Sequence, residues 1–222
     1  MAQRGMTVRR VCLAIIVSTI LWVDVGLAAE RPIQWEQLAD ALRAYFEYPS
    51  SENAKAAYQC LPKSGHANMF GLDIEKETLE LFYTNARLLE RQVISGDAEA
   101  VRLAYRLFSI TDSAYTEELD VLLGKLIRIN PRLFLSELRE NQKLVGLGGL
   151  LGNHGDEYVD LIRAQCLENR LRWKALKSVT DSSLLRKRDE CIRELDRQWQ
   201  AYCSANNRLQ LDGLQPSASG HH

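Results

Sequence analysis

From residue 33 to about residue 205 the apolar positions recur every three or four residues, the period of one buried helical face. Ile33, Trp35, Leu38, Leu42, Tyr45 and Phe46 open the series. Pro49 closes that first helix, because the residue before a proline is pushed out of helical angles. Ser50 or Ser51 can cap a short second helix that runs to about Cys60 and stops at Pro62. The loop 63–71 holds Gly65, His66 and Gly71. A long helix capped by Asp73 is predicted next, with the stripe Leu79, Phe82, Ala86, Leu89 and Val93 spaced as one continuous face. Gly96 ends it and Asp97 caps the following helix, whose inward positions are Val101, Ala104, Tyr105 and Phe108. The chain turns at 111–113 into a helix faced by Leu119, Leu122, Leu123 and Leu126. Asn130-Pro131 restarts it, a cap followed by proline at the first helical position, with Leu133, Phe134 and Leu138 inward. No alternating run bounded by turn residues occurs, so no strand is expected.

The segment 144–156, LVGLGGLLGNHGD, interrupts this rhythm with five of the chain's thirteen glycines. Beyond it, Asp156 and Glu157 are expected to open a long helix. Its two apolar faces carry Val159, Ile162, Cys166, Trp173 and Leu176, and Leu161, Leu167 and Leu171. Thr180-Asp181-Ser182 turns the chain into a last helix with the stripe Leu185, Ile192, Leu195, Trp199 and Tyr202. Gly-Asp and Asn-Pro punctuation between closely spaced helices resembles α-solenoids of the HEAT or armadillo kind in rhythm only, without a repeated consensus. The fold expected is all-α: a helical-repeat-like array of about seven to eight antiparallel helices ending in a helical hairpin. Within residues 29–212, a short-turn array covers 72–143, a glycine-rich seam 144–156 and the hairpin 156–205, with a flexible tail at 213–222.

The amino terminus changes this picture. Arg4, Arg9 and Arg10 precede an apolar run at 11–23 broken only by Ser18 and Thr19. Gly26 and Ala28 then stand at the −3 and −1 positions of a cut before Ala29, the anatomy of a cleavable secretory signal peptide at 1–28. A spanning helix needs about 20 apolar residues, and Asp24 stops this run short. Cleavage leaves 25 basic against 28 acidic residues of the chain's 28 and 29. That weak acidic balance argues against nucleic acid, which calls for a basic stripe. Export favours a bacterial envelope, since no Asn-x-Ser/Thr sequon occurs anywhere.

Export also gives the remaining cysteines, Cys60, Cys166, Cys191 and Cys203, a disulfide reading. In a hairpin about Thr180, Cys166 lies 14 residues before the turn and Cys191 lies 11 after. That is an offset of about 4.5 Å along the axis, within reach of a disulfide. Cys203 would lie about 13 Å out of register, so Cys166–Cys191 and, by exclusion, Cys60–Cys203 are the expected pairs.

Candidate chemistry is thin. The glycine stretch lacks the Lys-Ser/Thr of a phosphate loop and the strand that precedes a dinucleotide fingerprint. Gly146, Gly148, Gly149, Gly152, His154 and Asp156 form at most a binding seam. The more economical expectation is a short helix or turn packing its backbone on a neighbour, with Leu144, Leu147, Leu150 and Leu151 as core. His154, Asp156 and Glu157 match no recognised metal spacing, and no nucleophile elbow surrounds any serine. Arg170, Arg172, Lys174, Lys177, Arg186, Lys187 and Arg188 crowd the hairpin tip, where a solvated, helix-terminal role is expected. The expected function is therefore an exported helical interaction module of the cell envelope, a scaffold, adaptor or inhibitor that binds another envelope protein without a cofactor. The alternatives are a cell-wall hydrolase using dispersed Glu and Asp carboxylates, or a small-ligand or metal-binding periplasmic protein.

Overall fold

The computed structural model describes residues 33–63, 73–111 and 113–204. The leader at 1–28, the loop residues Gly65, His66 and Gly71, the capping side chain of Asp73 and the tail at 213–222 lie outside the described residues. The fold is all-helical, with ten α-helices among the described residues: α1 (Trp35–Glu47), α2 (Ser51–Gln59), α3 (Asp73–Thr84), α4 (Ala86–Ile94), α5 (Ala98–Leu107), α6 (Ser113–Ile129), α7 (Pro131–Asn141), α8 (Leu147–Gly152), α9 (Ile162–Lys177) and α10 (Leu185–Gln198). A single 3-10 turn, Asp156–Tyr158, precedes α9, and a π-helical turn, Trp199–Ser204, continues α10. No helix among the described residues is long and apolar enough to cross a membrane.

Local chemistry sets the element boundaries. The Ser50 hydroxyl accepts from the Asn53 amide, and the Asp97 carboxylate accepts from the amides of Glu99 and Ala100. The Asn130 side chain accepts from the Leu133 amide with Pro131 at the first helical position. Each satisfies donors that a helix start leaves open. Gly96 takes φ +88°, the left-handed geometry that lets α4 stop and Asp97 begin α5 within two residues. The stripes of α1, α5, α6 and α7 merge into one core with Leu150, Leu151, Leu176, Cys191 and Leu195.

Four expectations are corrected. The long helix from 73 to 93 is two helices, broken at Asn85, whose amide donates to the Leu81 carbonyl at 2.8 Å and takes over a helix-end acceptor. The face is nevertheless continuous: Leu79, Phe82, Ala86, Leu89 and Val93 are all buried across the break. This split, together with the glycine stretch forming α8, accounts for ten helices where about eight were expected.

The helix expected from Asp156 begins instead at Ile162, after the 3-10 turn. Val159, Leu161, Ile162 and Leu167 consequently face solvent, as does Tyr202 at 65% exposure. Two members of the basic hairpin tip are internal: Arg172 and Lys187 are buried, the latter donating to the Gln142 carbonyl at 2.8 Å and paired with Glu190.

The fourth correction is the cysteine pairing. Cys166 is bonded to Cys203, with Cα atoms 5.8 Å apart, and Cys60 and Cys191 are free thiols. Facing, rather than axial register, decides this. Twelve residues of regular α-helix would turn Cys203 about 120° away from Cys191. Cys191 lies on the inward stripe with Leu184, Lys187, Leu195 and Gln198 and is fully buried. The π-helical turn carries Cys203 to Cys166.

Candidate functional site

A helix of sequence LGGLLG is a poor helix in isolation, since each interior glycine costs about 1 kcal/mol relative to alanine. Its neighbours hold it. Leu150 and Leu151 are fully buried on one side. On the others, polar side chains approach the bare Cα positions: Asp120 of α6 meets Gly149, and Gln198 of α10 meets Gly152. The Gln198 amide donates to the Gly148 carbonyl at 2.9 Å and to Glu194 at 3.0 Å. Gly146 has open space around it.

The carboxyl end of α8 meets a cation. Arg172 of α9 donates to the carbonyls of Leu151 and Asn153 at 2.9 and 3.3 Å, acceptors that the helix end would otherwise leave open. Its Nε faces Glu168 at 3.4 Å, and Glu168 also accepts from Arg128 at 2.8 Å. The guanidinium rests against Gly124, where any side chain would collide with it. A glycine inside a 17-residue helix was the one sequence signal for this buried cation, and the apolar pattern did not draw attention to it.

Two titratable groups share this surround. Asp120 is buried, one carboxylate oxygen has no hydrogen-bond partner, and burial with the nearby Glu117 charge pushes its pKa up to about 7 against the pull of Arg172. His154 is buried beside the Asn169 side chain, with no well-formed hydrogen bond at either ring nitrogen and its ring 5.8 Å from that of Tyr158. Burial and the Arg172 charge lower its pKa to about 4. Asp156 is exposed. The seam residues thus fall into two settings: Gly148, Gly149, Gly152 and His154 face neighbouring side chains or the interior, while Gly146 and Asp156 face outward. Among the described residues no three His, Cys, Asp or Glu side chains gather where a metal ion could be held.

A cleft of about 540 Å³ opens beside α6, lined by Glu117, Glu118, Asp156 and Glu157 together with Arg87 and the Lys125–Glu90 pair. Asp120, the carboxylate pushed up among the described groups, does not line it; it points to Gly149 instead. Of the basic hairpin tip, Arg170, Lys174, Lys177 and Arg186 are exposed, yet several members make contacts within the chain. Besides Arg172 and Lys187, Arg188 donates to the Val179 carbonyl, and Arg170 and Lys177 lie over the rings of Trp199 and Trp173.

The outer surface near the disulfide is different in kind. Val159, Leu161, Ile162 and Leu167 are 64, 54, 42 and 60% exposed within nine residues. Leu167 adjoins Cys166, and Tyr202 adjoins Cys203. No protein-family model, no curated protein and no solved structure matches this chain.

Proposed function

We propose that the chain is an exported helical interaction module of the cell envelope, docking a protein partner through the aliphatic surface around its disulfide. The observation that carries the reading is the exposure of Val159, Leu161, Ile162 and Leu167 together with Tyr202. Single exposed apolar residues are ordinary, but a concentration of them marks an interaction surface. The Cys166–Cys203 bond supports an oxidising compartment, in keeping with the leader read at 1–28. Packing of several helices on the next but one, α4 on α6, α5 on α7, α6 on α8 and α8 on α10, supports the repeat-like array.

Site-specific photo-crosslinking in the producing cell tests this. A crosslinker at Leu161 or Leu167 is expected to capture one stoichiometric partner that a crosslinker at Glu52, on α2, does not. The pair Leu161→Ser and Ile162→Ser is expected to cut that capture about tenfold with unchanged thermal stability. Equal capture from all three sites, or capture indifferent to the pair, sinks the proposal.

The carboxylates of the α6 cleft favour a second reading, a hydrolase acting on cell-wall polymer. Turnover of wall material that Glu117→Gln or Glu118→Gln abolishes would establish it in place of the first.

A further inference from the structure

A smaller cleft of about 220 Å³ lies between α9 and α10, lined by Asn169, Arg170 and Trp173 from one side and Leu195, Asp196 and Trp199 from the other. It adjoins the disulfide, since Cys166 precedes Arg170 by one helical turn and Cys203 follows Trp199 by about one. Its lining includes polar groups with nothing to bond. Asn169 is 8% exposed, its side chain beside His154, and its carbonyl oxygen makes no well-formed hydrogen bond; the buried indole N–H of Trp173 makes none either. Leaving such groups unpaired costs about 1–3 kcal/mol each, so a ligand that supplies their partners recovers that cost. At the rim Arg170 and Asp196 are both exposed, and no ion pair joins them.

These features constrain the ligand. Pockets for drug-sized molecules span about 300–1,000 Å³, so this one suits a single ring. Exposed charges contribute only about 0–1 kcal/mol to an ionic contact, so recognition falls on the indoles and on the buried amide and N–H rather than on a charged ligand. Indoles supply flat apolar area beside a polar handle. A ring with one apolar C–H face and hydroxyls at its edge meets both demands, because each hydroxyl donates to Asn169 or Asp196 while accepting from Trp173 or Arg170.

We infer that the cleft between α9 and α10 binds a pyranose ring of a neutral saccharide, packed against the indoles of Trp173 and Trp199 and hydrogen-bonded to Asn169 and Asp196. The inference is independent of protein docking, which uses other side chains. The test is a nuclear magnetic resonance titration that follows the indole N–H signals of the purified chain with glucose, N-acetylglucosamine and its β-1,4-linked trimer. Leucine serves as a zwitterionic control. At least one sugar is expected to shift the Trp173 and Trp199 signals saturably while Trp35 stays still. Asp196→Ala and Trp173→Phe, which keeps the ring and removes the donor, are each expected to weaken binding about tenfold, the loss of one good hydrogen bond. An undisturbed Trp35 signal and circular dichroism spectrum verify that these variants fold. Silence of both indoles toward all three sugars overturns the inference. So does a response to leucine alone, or binding unchanged in the two variants.

Discussion

Arg172, 2% exposed, ties together α6, α8 and α9: it occupies the room left by Gly124, covers the open carbonyls of Leu151 and Asn153, and faces Glu168. Burial moves the nearby Asp120 and His154 in opposite directions, while the Arg172 charge lowers the pKa of both. Asp120 rises from 3.8 to about 7, so between those values the folded chain holds a proton that the unfolded chain has released, and stability falls as pH rises. His154 drops from 6.5 to about 4, so across that window the unfolded chain holds the extra proton, and stability is lost as pH falls. The two slopes oppose each other below pH 6.5. Asp120→Asn removes the first while keeping the shape of the side chain. It is expected to stabilise the protein at pH 8 by about 1–3 kcal/mol and to uncover the acid sensitivity of His154 between pH 6.5 and 4. Urea denaturation at pH 5 and pH 8 checks both; a lower midpoint than the parent at pH 8 counts against this account.

At the scale of elements, α8 shows why one glycine is not another. Alanine in a helix usually gains about 0.5–1 kcal/mol over glycine. At 149 a Cβ would run into the Asp120 carboxylate, held on a packed helix, so Gly149→Ala is expected to cost about 1–3 kcal/mol. Gly146→Ala, with open space around it, is expected to change stability by less than about 0.5 kcal/mol. Thermal melts of the two variants side by side test the contrast. Where chain chemistry is local, boundaries were legible in the sequence: Ser50, Asp97 and Asn130-Pro131 cap as their side chains dictate. The break at Asn85 was not, because the core reads a stripe and the stripe runs through unchanged. The start of α9 was misplaced because Asp156 and Glu157 suit any helical first turn, and here the turn is a 3-10 turn that stops. The cleft of Trp173 and Trp199 was hidden by the same habit, since aromatic residues on a stripe read as core.

For the whole molecule, the Cys166–Cys203 bond joins residues 37 apart in sequence and closes a loop that contains most of α9 and all of α10. Constraining the unfolded chain over that length stabilises the fold by about 4 kcal/mol. Cys203→Ser is expected to lower unfolding free energy by about 2–4 kcal/mol, while Cys60→Ser, at a half-buried free thiol, changes it by less than about 1 kcal/mol. Urea titrations under non-reducing conditions separate the two. An equal loss in both would mean that the 166–203 link does not hold the carboxyl-terminal pair. The pairing was beyond sequence reasoning because it depends on which face each cysteine takes, and a π-helical turn changes that face without any mark in composition.

The connectivity also bears on how such a protein is made. In the exported chain proposed above, Cys60 and then Cys166 reach an oxidant before Cys191 and Cys203 arrive. Pairing in order of arrival would join Cys60 to Cys166, whereas the finished molecule joins the second of these four thiols to the fourth and leaves the other two reduced. Thiol–disulfide exchange can correct such a bond only through attack by another thiolate. Cys203, the last to arrive, can supply that thiolate from within the chain: its attack on Cys166 forms the final bond and releases Cys60 as a thiol.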